Sequence, residues 1–325
     1  MHSPMSVACS PSDVAETPVP PAAVTVVGGA NMDVGAQTDT PLLPGDSTPG
    51  HIHYAPGGVG RNIAENLARL GVPVALLTVV GDDAFGTQLI TSTAASGVNV
   101  DSMLRLAGQR TATYLSMHGP DGDMALAVND MAILEQLTPA CCVQHLPAAT
   151  PGEWLLLDCN LQATTLAHLL SLGRTVVVDA VSVAKCRRVQ DHLHQVHLLK
   201  VNRLEAEALT GIAVHSPTDG MRAAQALHAL GVPRVLVSLG GDGVGWCDTD
   251  GRTDFLAARP VPVVNTTGAG DALLAGVVAG LQRQMSLPRA MAYGMACAEI
   301  TLSSTFANSS ELSHAAAVRH TPSLL

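Results

Sequence analysis

Aromatic side chains are nearly missing from this chain, which has three Phe, three Tyr and two Trp in 325 residues. So few rings cannot form a platform on which successive nucleic-acid bases stack. Positive charge is also scarce: 17 Lys and Arg face 27 Asp and Glu, for a net charge of −10 at pH 7 and a pI near 5.6. A basic surface that would hold nucleic acid or anionic lipid is therefore excluded, and the expected partner is a small molecule. Only two lysines occur, Lys185 and Lys200, and neither stands in G-x-x-x-x-G-K-[ST], so a P-loop nucleoside triphosphatase is ruled out. None of Gly58-x-Gly60, Gly241-x-Gly243, Gly243-x-Gly245 or Gly268-x-Gly270 completes G-x-G-x-x-G, which removes the main support for a dinucleotide-dependent dehydrogenase.

The seven cysteines are scattered, odd in number and never spaced as C-x-x-C, so neither a disulfide framework nor a zinc cage is expected. No Lys or Arg precedes Arg61, which does not match a secretory or mitochondrial address. The apolar runs Val72 to Val80 and Ala272 to Leu281 fall short of the roughly 20 residues a membrane helix needs. The terminal Ser323-Leu324-Leu325 lacks the lysine of a peroxisomal S-K-L signal. A cytoplasmic location, with no membrane partner, is the expectation.

Residues 1–22, rich in Pro, Ser and Ala without periodicity, read as a flexible extension, and 321–325 as a tail. The fold is expected from 23 to 320. Strands are predicted at Val24 to Val27, Val74 to Val79, Trp154 to Leu157, Thr175 to Val178, His197 to Leu199, Arg234 to Ser238 and Val261 to Val264. Helices fit Arg61 to Leu70, where Ile63, Leu67 and Leu70 share a face, and Gly86 to Ser96. This alternation predicts an α/β protein with a doubly wound, mostly parallel sheet. Two excursions, about 34–56 and 111–131, would form a discontinuous β lid; the second reads as a hairpin about Gly119 to Gly122.

The most informative run is Asn265-Thr266-Thr267-Gly268-Ala269-Gly270-Asp271, followed by small apolar residues through Gly280. It reads as a strand, a glycine turn and the mouth of a buried helix, where converging backbone N–H groups suit an anion. Asp271 at that mouth could take a proton from a hydroxyl attacking a bound phosphate. A turn serving only tight strand-to-helix packing is the plain alternative.

These residues, with the separate run Gly57-Gly58-Val59-Gly60-Arg61-Asn62, resemble the ribokinase-like (PfkB) carbohydrate and nucleoside kinases from about Val24 to about Ser313. The resemblance implies that Asp271 is the catalytic base and that Gly268, Ala269 and Gly270 form an anion hole. It implies that Asn31, Asp33, Gly57, Gly58 and Asn62 hold the sugar. A carboxylate and an amide at Asp33 and Asn31 also suit adjacent hydroxyls on chemical grounds, although Asn-x-Asp equally suits a turn. Asn62 equally suits a helix cap, and Asn66 a solvated position.

Asn202 and Glu205 match the family's N-x-x-E, with Glu205 acting on Mg²⁺ through water; a helix cap with a surface Glu is the alternative. Ser238, Gly240, Gly243 and Thr267 are the remaining implied ATP contacts. Within the family, Pro56 to Ala64, Val128 to Met131, Val178 to Ser182 and Asn202 to Glu207 resemble the pseudouridine kinase branch. That implies phosphorylation of pseudouridine at its 5′-hydroxyl by ATP, with Asn129 near the uracil edge. Lys185 is a candidate for neutralising phosphate charge. Asn265 replaces the aspartate of K⁺-dependent members, which speaks against a potassium requirement. Lid-mediated pairing into a homodimer is a further family expectation. Ribokinase, another nucleoside kinase, or a catalytically silent binding protein on this fold remain open. His192, His194 and His197 could suggest a metal, but they lack an i, i+4 pair and a carboxylate partner.

Overall fold

The computed structural model describes residues 23–43 and 45–322; the expected extension at 1–22 and most of the tail lie outside them. Among the described residues thirteen strands form two sheets. They are β1 (Val24–Val27), β2 (Asn31–Thr38), β3 (Gly50–Gly57), β4 (Val74–Gly81), β5 (Met103–Leu106), β6 (Thr113–His118), β7 (Met124–Asp130), β8 (Trp154–Asp158), β9 (Thr175–Asp179), β10 (Leu198–Asn202), β11 (Arg234–Ser238), β12 (Gly243–Cys247) and β13 (Thr253–Ala257).

The larger sheet runs β13-β12-β11-β10-β9-β8-β1-β4-β5. Pairing is parallel from β11 through β5, and the β11/β12 and β12/β13 pairs are antiparallel. Its central strands are short β-branched and leucine runs because both faces are covered. Successive side chains feed two cores: Val26, Leu156, Val177, Leu198 and Leu236 join one. Val27, Leu155, Leu157, Val176, Val178, Leu199, Val235 and Val237 join the other. Helices Val59–Arg69, Ala269–Gln282 and Leu287–Leu302 supply the first layer, and Ala163–Leu170, Arg203–Thr210 and Pro217–Ala229 the second. The fold is therefore the α/β, mostly parallel architecture that the alternating pattern predicts.

One reading differs. Val261 to Val264 is not a strand, because Pro260 and Pro262 remove alternate N–H donors that a sheet would need. Instead the segment crosses the end of helix Leu287–Leu302, with the Val264 N–H bonded to the Leu302 carbonyl at 2.8 Å. The antiparallel edge β12/β13 takes the outer place in the sheet.

The second sheet has the order β3-β2-β6-β7. Asp33 is opposite Tyr114 and Tyr114 is opposite Asn129, so these three share one face. Val34, Tyr54, Leu115 and Val128 share the other, as do Ala36, Ile52, Met117 and Leu126.

Candidate active site

Charged or amide residues end the central parallel strands, and they converge at the carboxyl edge of the sheet. Asp158 ends β8 and is paired in register with Asp179, which ends β9; Asp179 is in turn level with Lys200 of β10. Ligands bind at such an edge in open α/β sheets.

Asp271 lies in the first turn of helix Ala269–Gln282 and is 8% exposed. Its Oδ2 accepts a 2.9 Å hydrogen bond from the Asn62 amide, whose helix Val59–Arg69 comes from far earlier in the chain. Burial, reinforced by the nearby Asp179 carboxylate, pushes Asp271 up to about 7; the Lys200 charge and the Asn62 bond oppose the rise. Burial thus raises the proton affinity of this carboxylate toward the neutral range.

The preceding turn is shaped for an anion. Gly268 is the N-cap, at φ 81°, and a Cβ there would strike the Ala307 backbone, so only glycine fits. Ala269 and Gly270 then open the helix, the Ala269 N–H bonded to the Thr266 carbonyl at 3.4 Å and Gly270 lying in the first turn, where N–H groups have no intrahelical acceptor. A Cβ built on Gly270 would lie 3.1 Å from Lys200 Nζ, which places this buried cation under the anion turn. Lys200 is ion-paired to Asp179 Oδ2 at 2.9 Å. Burial works against its charge, but Asp179, Asp271 and Glu205 together hold it above its ordinary value.

Asn31 and Asp33 sit at the start of β2, joined by a 2.7 Å bond from Asn31 Nδ2 to Asp33 Oδ1. Gly57 is opposite Asn31 in β3, and a side chain there would strike the Asp33 carboxylate. Gly58 caps the next helix at φ 98°, against the Gly29 carbonyl. Asn62 is therefore inside the helix and Gly58, rather than Asn62, caps it. Asn66 is fully buried and its amide has no hydrogen-bond partner, which excludes the solvated position.

Two cavities open past the carboxyl ends of strands of the larger sheet. One, about 510 Å³, is lined by Ser238, Gly240, Gly243, Thr266 and Gly270, with an apolar wall that includes Val261, Leu273, Met295 and Leu302. Thr267 is on the rim beside it, its N–H bonded at 2.9 Å to the Asn265 side chain. The other, about 400 Å³, is lined by Asn129, Asn160, Gln162, Lys185 and Arg188. Lys185 donates to Asn160 Oδ1 at 2.6 Å. It thus shares a pocket with Asn129, whereas the lysine under the anion turn is Lys200.

Asn202 and Glu205 form a reciprocal capping box: Asn202 N–H donates to Glu205 Oε2 at 2.7 Å, and Glu205 N–H to Asn202 Oδ1 at 3.0 Å. Glu205 is 1% exposed, so the cap is real but its Glu is interior. The three histidines do not gather: His197 bonds Arg234 at 2.8 Å and packs edge-on against Trp154. No group of three metal-competent side chains occurs among the described residues.

Sequence reasoning missed Asp158 and the placement of Lys200. Asp158 is fully buried; its Oδ2 accepts the N–H groups of Gly29 and Gly60, both at 2.8 Å, tying β8 to the glycine turns that border Asn31 and Asn62. The available signal was a polar residue ending an otherwise apolar run, as in Leu155-Leu156-Leu157-Asp158 and Leu198-Leu199-Lys200.

A family model described as pfkB family carbohydrate kinase matches residues 22–314. The chain belongs to this family. It is a kinase, and the catalytically silent alternative is set aside. The pseudouridine kinase of Escherichia coli (strain K12) is 40% identical over 292 residues, covering 89% of this chain and 93% of that protein. The uncharacterized sugar kinase YeiI of the same organism is 39% identical over 290 residues, covering 89% of this chain and 80% of that one. Among solved structures, the ribokinase of Arabidopsis thaliana complexed with ribose and ATP superposes with a TM-score of 0.78 at 19% identity, over 93% of this kinase and 99% of that chain. This PfkB kinase therefore has the ribokinase-like fold.

Proposed function

We propose that this PfkB kinase transfers the γ-phosphoryl group of ATP to the 5′-hydroxyl of pseudouridine. The observation that carries the reading is the Asn62 to Asp271 hydrogen bond, which joins the helix behind the Gly57-Gly58 turn to the carboxylate next to Gly270 and its cleft. The 40% identity to a pseudouridine kinase over most of both chains supports the substrate.

In this reading the ribose lies among Asn31, Asp33, Gly57, Gly58 and Asn62, and its base enters the Asn129, Asn160 and Lys185 pocket. Lys185 then serves the nucleobase side. The purine of ATP packs on the apolar wall of the larger cleft, near Ser238, Gly240, Gly243 and Thr267, with its γ-phosphate at the N–H groups of Gly268 to Gly270. Asp271 accepts the hydroxyl proton as the oxygen bonds to the γ-phosphorus and the bond to ADP breaks. Lys200 and the turn amides stabilise charge on the transferring group; each such donor is worth about 3 kcal/mol in comparable sites.

The absence of a three-ligand cage among the described residues suits Mg²⁺, which usually keeps several waters and is held largely by substrate phosphates. Asn202, two residues past Lys200 at the end of β10, and Glu205 in the first turn of the helix that follows would reach the hydrated ion, neutralising phosphate charge. Asn265 Nδ2 donates to the Thr305 carbonyl at 3.1 Å, putting a donor where a cation would need an acceptor. Exchange of potassium for choline salts should accordingly leave turnover unchanged; several-fold activation by K⁺ would refute this.

The second sheet acts as the lid, excluding water when the nucleoside is bound. Its far face leaves Ile52, Leu126 and Val128 more than half exposed, which suits burial against a second copy in a homodimer. No helix of the described residues is long and apolar enough to cross a membrane, and the six described cysteines are free thiols; both features suit the cytoplasm.

A second reading, kinase action on another nucleoside or on ribose, draws on the 39% identity to a sugar kinase. ADP release measured with pseudouridine, uridine, adenosine, ribose and fructose decides between them. Strong preference for pseudouridine is expected; preference for ribose or adenosine would overturn the substrate and keep the kinase.

A further inference from the structure

The Asn62 amide can serve Asp271 only if its nitrogen, and not its oxygen, faces the carboxylate. A side-chain amide has no intrinsic preference, so its neighbours must decide. The neighbour on the oxygen side is Arg61: its Nη1 donates to Asn62 Oδ1 at 2.8 Å. A guanidinium carries donors and no acceptor, so the Asn62 oxygen must turn to it and the nitrogen must turn to Asp271.

Arg61 itself is fixed. It is 3% exposed, inside the protein, and its Nη2 pairs with Glu65 one turn along the same helix. Its Nη1 also reaches the Pro56 carbonyl at the end of β3 (2.9 Å) and Asn308 Oδ1 (3.2 Å). Asn308 in turn donates its Nδ2 to the Asn62 carbonyl at 2.9 Å, so the Asn62 backbone and side chain are both held. Asn308 follows Ala307, the residue whose backbone crowds Gly268. One buried cation thus ties the base of the second sheet, the sugar-side helix and the loop behind the anion turn.

We propose that Arg61 is a positioning residue for phosphoryl transfer, which orients the Asn62 amide so that it donates to Asp271 and keeps that carboxylate ready to accept a proton. The proposal rests on the reading of Asp271 as the base. Without Arg61 the amide is free to flip, and its oxygen then repels the charged carboxylate. The charged groups around Asp271 are Lys200, Asp179 and Asp158 from the strand ends and Arg61 from the helix side. Glu65, Asp33 and Arg69 in turn surround Arg61. Removing Arg61 takes away a positive charge as well as the orienting bond, and both changes favour protonated Asp271.

The test uses the full chain with Arg61→Met and Arg61→Lys, folding being checked by thermal unfolding. Turnover is measured from pH 5 to 9, and the Asp271 carboxyl is titrated by ¹³C NMR. For Arg61→Met we expect the acid limb of kcat and the Asp271 titration to move up together by about one pH unit, with kcat at pH 7 falling about fivefold. KM for ATP should stay within about twofold. Arg61→Lys, which keeps a cation and a donor, should recover most of the displacement; if the Met variant does not fold, Arg61→Gln, which also removes the cation, carries the test with the same expected displacement. Equal loss at every pH with an unmoved Asp271 titration would make Arg61 merely structural and overturn the proposal, as would parental behaviour of the Met or Gln variant. A titration that moves while kcat does not follow it would instead remove Asp271 from the base role.

Discussion

At the scale of the residue, Asp271 combines two effects that pull against each other. Burial raises its proton affinity, while Lys200 and Asn62 keep the charged form within reach. In its proposed role as base Asp271 works unprotonated, so turnover at saturating substrates should rise with pH through about 7 and level off above it. A pH-rate profile checks this; a flat profile from pH 5 to 8 would contradict it. The same shift has the opposite consequence for stability. The folded protein holds this proton more tightly than the unfolded chain, so the contribution is full below the unfolded value of 3.8 and is lost as pH rises through about 7. Replacement by the neutral isostere should remove that loss, so Asp271→Asn should be more stable at pH 8 by roughly 0.5–2 kcal/mol, as urea unfolding would measure.

At the scale of the element, the turn at Gly268 to Gly270 separates folding from chemistry. Gly268→Ala places a side chain at φ 81° against the Ala307 backbone and should destabilise the protein by more than about 1–3 kcal/mol. Gly270 has helical geometry and faces only Lys200 Nζ, so Gly270→Ala should fold at least as well, helix propensity favouring Ala by about 0.8–1 kcal/mol. Its methyl group would nonetheless crowd the anion pocket and lower turnover; thermal unfolding read beside activity separates the two variants. Elements of this kind were legible because each has a local cause: β-branched runs made the central strands, and glycine with Asp271 marked the helix mouth. Val261 to Val264 was misread because apolar content hid the veto of Pro260 and Pro262. Asp158 and Lys200 escaped notice because their roles come from register across β8, β9 and β10, and register is not written in any one strand.

At the scale of the whole molecule, the site exists only where distant segments meet: Asn62 bonds Asp271 across 209 positions, and Asp158 reaches Gly29 across 129. Sequence motifs identified most of the partners but not the Arg61 link that orients them. The apolar far face of the second sheet makes a further claim at this scale. Leu126→Asp with Val128→Asp should convert a dimer into a monomer in sedimentation velocity, since both side chains are exposed on the face proposed for pairing. An unchanged sedimentation coefficient would remove that face from assembly.

The account as a whole turns on Asp271 accepting the proton of the nucleoside 5′-hydroxyl. The direct measurement is the turnover of Asp271→Asn with pseudouridine and ATP, taken with ATP affinity by calorimetry on the same preparation. A fall in kcat of at least about 10²- to 10⁴-fold with ATP affinity nearly unchanged is the predicted result. Turnover within a few-fold of the parent would contradict the mechanism.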